Sequence, residues 1–234
     1  MSRSVGGVDA IQGVLPDWFA VLLSLLTQLG DGWFLVVLLA GLYWHQREER
    51  EDIVLVAGAY VASVSSYQYL KYLFERPRPG QPLLEAEAVP WLVRPFYEAT
   101  AFATGYGFPS GHATATTVVY LGLAAVLTVG SRRRRYLAAG CLVAIVSFTR
   151  VALGVHFLVD VVAGVVLGGT LLVVVFGGLT RVAADRVPLL LGLGIVVAVL
   201  AVVESGGDPA TVVTLAGAVG LFGLWRWAGR ERAV

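Results

Sequence analysis

Five stretches of the chain, residues 53–70, 113–131, 161–180, 187–203 and 209–225, contain no aspartate, glutamate, lysine or arginine. As helices, apolar runs of about 17–25 residues match the roughly 30 Å hydrocarbon core of a bilayer. A soluble domain of 234 residues needs a charged surface, and a chain that is 57% apolar and 14% charged cannot cover one. The runs are continuous rather than alternating, so helices are expected and not the strands of a barrel. Two further spans are less clean. Residues 136–155 are interrupted near their end by Arg150, and 18–44 are broken by Gly30-Asp31-Gly32. The latter reads as a short interfacial helix running into one spanning helix. A cleaved signal peptide fits poorly, because the apolar run continues past Asp31 with no small-residue cleavage site. The expectation is an all-α, polytopic transmembrane bundle of about 6–7 spanning helices. It forms a single domain over residues 1–234, with a motif-bearing core at 53–180.

The arginines orient this bundle. Numbering the loops alternately puts Arg47, Arg50, Arg132–Arg135, Arg181, Arg186, Arg226, Arg230 and Arg232 on one side, eleven of the seventeen basic residues. The positive-inside rule assigns that side to the cytoplasm, together with the C-terminus. Residues 75–109 and the N-terminus then lie outside. The Arg132–Arg135 run reads as a topology signal touching anionic lipid rather than a nucleic-acid patch. The acidic stretch Glu48–Asp52 reads as a solvated turn. A net charge of +1 says nothing about partners, and the lone Cys141 excludes an intramolecular disulfide.

Polar residues in or beside spans are costly and therefore functional candidates. Three groups fall on the outer side. The first runs from Lys71, the chain's only lysine, to Arg78 and Pro79; the prolines stop the helix and present Arg78 from a stiff turn. The second is Pro109-Ser110-Gly111-His112, where Ser110 caps a helix and Gly111 allows a ligand close to the backbone. First-turn amides there favour an anion, and His112 can donate a proton to a leaving group. The third joins Thr149 and Arg150 to His156 and Asp160, which at i and i+4 share a helix face. A carboxylate on one imidazole nitrogen frees the other as a nucleophile. Gly154 permits tight backbone approach beside that histidine. Singly, the groups also read as a stop-transfer flank, an ordinary helix start, and an Arg150–Asp160 ion pair. Together they hold the inventory of phosphoryl transfer: cations for the nonbridging oxygens, a nucleophile and an acid.

These segments resemble the signature of the type 2 phosphatidic acid phosphatase and vanadium haloperoxidase superfamily, Lys-x6-Arg-Pro, Pro-Ser-Gly-His and Ser-Arg-x5-His-x3-Asp in that order. One departure is visible, Thr149 where the family has serine; it keeps the hydroxyl and adds a methyl that can tighten the phosphate pocket. The resemblance implies that His156 attacks phosphorus and carries the phosphate, with Asp160 orienting it. It implies that His112 protonates the departing alkoxide and then deprotonates water. Lys71, Arg78, Ser110, Gly111 and Arg150 would hold the phosphate oxygens, with no metal and no cofactor. The opening segment, from Asp17 through Leu29-Gly30-Asp31, is similar to glucose-6-phosphatase-like members.

The expected activity is hydrolysis of a lipid phosphomonoester or diphosphate, such as phosphatidic acid, phosphatidylglycerol phosphate or a polyprenyl phosphate. The partners are lipids, with no nucleic acid. Trp91, Phe96, Tyr97, Phe102, Tyr106 and Phe108 in the long outer connection suit the headgroup level, as a lid or side entrance. Two alternatives keep the same residues: a phosphotransferase to a sugar or lipid hydroxyl, and a non-enzymatic anion-binding transporter or scaffold. With seven spans, a haloperoxidase has no soluble domain to occupy.

Overall fold

The computed structural model describes residues 7–179 and 185–231, and among these the apolar runs fold as helices with no strand. A short helix α1 (Gly7–Gln12) precedes α2 (Phe19–Thr27) and α3 (Gly32–His45). Then come α4 (Arg50–Phe74), the surface helix α5 (Arg94–Ala101), α6 (Gly111–Val126), α7 (Arg132–Ala152) and α8 (Leu158–Gly178). The chain closes with α9 (Arg186–Glu204) and α10 (Pro209–Glu231). Five of these, α4, α7, α8, α9 and α10, are long and apolar enough to cross a membrane. The pair α2 and α3, bent by 48° at a break, makes a sixth when taken as one span.

The expected span at 113–131 takes a different form. It is α6, a shorter apolar helix that stops at Val126, where Leu127 turns extended. It is also buried nearly throughout and contains a π-helical turn at Thr117–Leu121. The helix begins at the polar cluster, with Ser110 as its N-cap, and its sixteen residues at about 1.5 Å each run toward the opposite end of the bundle. It sits among α3, α4, α7 and α8, with Ala115, Val119 and Leu123 packed on Leu35, Leu39, Ile53 and Val56.

Small residues set the closest approach. A Cβ at Gly164 would stand 2.6 Å from the Ser110 carbonyl oxygen, and one at Gly168 2.8 Å from that of Thr114. This Gly-x3-Gly face lets α8 press its backbone against α6, as lipid-embedded helices need where packing replaces the hydrophobic effect. In turn α9 lies along α4, whereas α10 is largely unburied.

The two ends differ. At one, Arg186 pairs with Asp52 at 2.9 Å and Glu51 at 3.4 Å, and Thr128 donates to Glu49 at 2.6 Å. Glu51 and Asp52 therefore belong to the first turn of α4, where carboxylates suit the helix dipole, rather than to a solvated turn. Arg47, Arg50, Arg132–Arg135, Arg186 and Arg226 gather toward this end. Arg181 and Arg232 of the arginine tally lie outside the described residues. At the other end Ala20, Leu23, Val89, Tyr97, Ala101, Leu153 and Val155 form a small separate core. It fastens α2 and the connection 75–109 over the end of α7. Tyr97 is fully buried, and its hydroxyl donates to the Leu84 carbonyl and accepts from the Leu84 amide. Trp91, Phe96 and Phe102 stay exposed beside it.

Candidate active site

All three polar groups meet at this second end, because each sits where a long helix starts or stops. α4 ends at Phe74, and the segment through Pro79 carries Arg78 inward. Its guanidinium donates from Nε to the Thr104 carbonyl at 3.1 Å and from Nη1 to the Val155 carbonyl at 3.0 Å. The same Nη1 lies 3.0 Å from Nε2 of His156. A guanidinium can only donate, so Nε2 accepts and the ring's proton resides on Nδ1. That Nδ1 is 3.5 Å from Oδ2 of Asp160, long for a hydrogen bond but near enough for the carboxylate to favour a proton on that nitrogen.

His156 and Asp160 do not share a helix face as their spacing suggested. α7 ends at Ala152, and Gly154 takes a φ of +70°. His156 then lies in the link before α8, and Asp160 in the first turn of that helix. The Asp160 carboxylate accepts the Phe157 amide at 2.9 Å, so one side chain both caps the helix and backs the histidine. Gly154 is needed for a reason the sequence hinted at. A Cβ there would collide with the Gln81 carbonyl, so the connection 75–109 passes directly over this turn. Gln12 on α1 closes the contact, donating to the Gln81 carbonyl at 2.9 Å and the Ala152 carbonyl at 3.1 Å.

Ser110 caps α6 as expected, accepting the Ala113 amide at 3.5 Å. Its own amide donates to the Asp160 carbonyl at 2.9 Å, which joins the second motif to the third. Gly111 departs from expectation: a Cβ there would stand 2.9 Å from the Tyr67 ring, so its smallness accommodates α4 rather than a ligand. Its amide still belongs to a helix's first turn, without an intrahelical partner.

Arg150 is buried on α7 and donates to Thr27 Oγ1 at 2.9 Å and to the Thr100 carbonyl at 3.4 Å. Lys71 sets its ammonium over the Tyr67 ring and within Coulomb reach of Arg78, Arg150 and Asp160. Thr149 is fully buried, and its hydroxyl is returned to its own helix, at the Val146 carbonyl. The bond leaves that hydroxyl no free role toward a phosphate.

Burial, with Arg78, Arg150 and Lys71 around it, holds His156 well below the usual imidazole range. The ring is therefore neutral at pH 7, with a lone pair on Nε2. Beside Arg78 opens a cavity of about 210 Å³, lined also by Gly80, Pro82, Phe102, Gly154 and Val155. Among the described residues no three His, Cys, Asp or Glu side chains come together in a way that could hold a metal ion.

The motifs omitted several participants. Thr27 and Thr100 anchor Arg150, Tyr67 fills the space at Gly111, and Asp31 sets Oδ1 2.9 Å from Nε2 of His112. Of these, only Asp31 carried a signal in the sequence, as a carboxylate interrupting an apolar run.

A bundle of lipid-length helices gathers at one end the cations, neutral histidine and second histidine that phosphoryl transfer needs. Residues 52–183 match the family model of the PAP2 superfamily. A decaprenylphosphoryl-5-phosphoribose phosphatase of Mycobacterium tuberculosis is 32% identical over 166 residues, 69% of this chain and 82% of the relative. Phosphatidylglycerophosphatase B of Bacillus subtilis is 35% identical over 91 residues, 36% of this chain and 45% of the relative. The crystal structure of the transmembrane PAP2-type phosphatidylglycerolphosphate phosphatase from Bacillus subtilis superposes with a TM-score of 0.61. It is 26% identical and covers 77% of this chain and 86% of that one. The chain belongs to the PAP2 superfamily and is an integral membrane phosphoric ester hydrolase.

Proposed function

We propose that this phosphatase removes phosphate from a lipid phosphate through a phosphohistidine on His156, without a metal. The observation that carries the reading is the setting of the His156 ring between Arg78 and Asp160. Its Nε2 accepts from Arg78 and its Nδ1 faces Asp160, the state a nitrogen nucleophile requires. When a phosphate group enters, its oxygens take over the donors of Arg78, Lys71 and Arg150, the Ser110 hydroxyl and the first-turn amide of Gly111. Arg78 then leaves Nε2, which attacks phosphorus while the P–O bond to the lipid breaks. His112 gives its proton to the departing oxygen. It next takes a proton from water as the water oxygen attacks the phosphohistidine, and the P–N electron pair returns to Nε2. Asp160 stabilises the cationic ring throughout.

Lipid is the favoured substrate class because the curated relatives named above are phosphatases of a polyprenyl-linked sugar phosphate and of a glycerophospholipid phosphate. The cavity beside Arg78 is also bordered by apolar residues of the connection 75–109, among them the exposed Phe102. By the positive-inside rule that end faces away from the cytoplasm, and the C-terminus faces it.

Detergent-purified protein is to be assayed for phosphate release from phosphatidylglycerol phosphate, phosphatidic acid, polyprenyl diphosphate and a polyprenyl phosphoribose 5-phosphate. Release from at least one is expected, undiminished by chelators, inhibited by vanadate and abolished in His156→Ala. Retained activity in that variant would overturn the mechanism.

A further inference from the structure

Both histidines of the site face a carboxylate, but only Asp160 belongs to the three motifs. The partner of His112 is Asp31, which follows the tight turn Gln28–Gly30 at the break between α2 and α3. An aspartate preceding a helix ordinarily turns its carboxylate onto that helix's free amides. Asp31 makes no such bond, and its Oδ1 lies 2.9 Å from Nε2 of His112 instead. A favourable local contact is forgone for one made 81 residues along the chain.

The break itself is fixed in place. Thr27 accepts from Arg150 at 2.9 Å, and the Leu29 carbonyl accepts the Tyr120 hydroxyl at 2.6 Å. A Cβ at Gly30 would stand 2.6 Å from Val146 and 3.0 Å from the His112 ring, so only glycine brings the turn this close. Thr27, Leu29 and Asp31 thus dock on α7 and α6. Irregular backbone at membrane depth survives only where protein encloses it, and these contacts supply the enclosure. The break itself lies before residue 52, where the family match begins.

The charges around His112 give the carboxylate a task. Arg150 on α7, Lys71 on α4 and His156 before α8 surround the ring, and Asp31 is the anion set against them. An acid for an alkoxide must carry its proton as imidazolium, which neighbouring cations oppose and a carboxylate supports.

We propose that Asp31 is a positioning residue for His112: it accepts the Nε2–H, and so leaves Nδ1 as the nitrogen that exchanges a proton with the substrate. In ester cleavage the imidazolium gives its Nδ1 proton to the leaving oxygen as the P–O bond breaks. Asp31 stays ionised, keeping its bond to Nε2–H. In hydrolysis of the intermediate Nδ1 takes a proton from the attacking water, and the same bond steadies the cation formed.

The inference rests on the roles proposed above for His156 and His112, and the test separates it from them. Two substrates with matched tails are used: dodecyl phosphate, whose alkoxide needs a proton to leave, and a nitrophenyl phosphate bearing the same dodecyl chain, whose phenolate does not. In Asp31→Asn, kcat/KM for the alkyl ester should fall about 100-fold. For the aryl ester kcat/KM, which reports only the steps through P–O cleavage, should stay within about threefold, with inhibition by vanadate little changed. His112→Ala should show the same split. Equal loss on both esters, with or without vanadate inhibition, or no loss on either, overturns the role of Asp31. If His112→Ala shows no split, or His156→Ala stays active, the proposed mechanism fails first. A split in His112→Ala that is missing from Asp31→Asn sinks the inference alone.

Discussion

Arg78 resting on Nε2 of His156 couples the ionisation of the proposed nucleophile to the cations proposed to bind phosphate. Burial and the positive charges of Arg78, Arg150 and Lys71 lower the affinity of His156 for a proton. An imidazole so depressed binds its proton only at a pH more acid than the ordinary value near 6.5, and stays neutral above it. A titration of ¹⁵N-histidine-labelled protein by NMR should therefore find His156 neutral at pH 6.5, with its midpoint on the acid side of that value. In Arg78→Ala the midpoint should move up toward 6.5. A wild-type ring half-protonated at pH 6.5 would contradict this. The Thr149 hydroxyl illustrates the opposite case, a side chain within a motif whose bond is spent on its own helix.

Elements contribute by ending where they do. α7 stops at Gly154, whose φ of +70° turns the chain toward His156 and whose missing side chain makes room for the Gln81 carbonyl. Alanine there meets both a left-handed backbone and a backbone clash, so Gly154→Ala should destabilise the protein by at least about 1–3 kcal/mol. The measurement is thermal unfolding in detergent, and activity should fall as His156 shifts. A Tm unchanged within error would show that the connection 75–109 gives way instead. α6 was expected as a full span and is shorter; it starts at the site and is enclosed by its neighbours. Neither its starting point nor its enclosure is encoded in its own apolar residues. The i and i+4 spacing of His156 and Asp160 suggested one helix, yet α8 begins only after His156. The pairing survived because a helix N-terminus also brings those positions together.

At the scale of the whole molecule the bundle is polar at both ends, with arginines at one and the site at the other. The orientation is testable in a Cys141→Ala background, since Cys141 is exposed. Ala88→Cys, exposed near α5, should react with a membrane-impermeant maleimide in intact cells. Val129→Cys, exposed between α6 and α7, should react only after lysis. The reverse pattern would invert the proposed topology. α10 is the least buried span, as expected of a helix bordered by lipid on most of its surface.

The sequence by itself determined the solvent, the helical class and the three motifs, because charge-free length and motif spacing are local properties. It also located Lys71, Arg78, His112, Arg150, His156 and Asp160 at one end, since helix direction follows from counting spans. The tertiary structure decided what those residues touch. That Arg78 caps Nε2 of His156, that Tyr67 and not a ligand fills the space at Gly111, and that Thr27 anchors Arg150 depend on contacts between distant segments. Asp31 marks the boundary most clearly. In the sequence it is a flaw in an apolar run; only packing of the broken first span against α6 makes it the partner of His112.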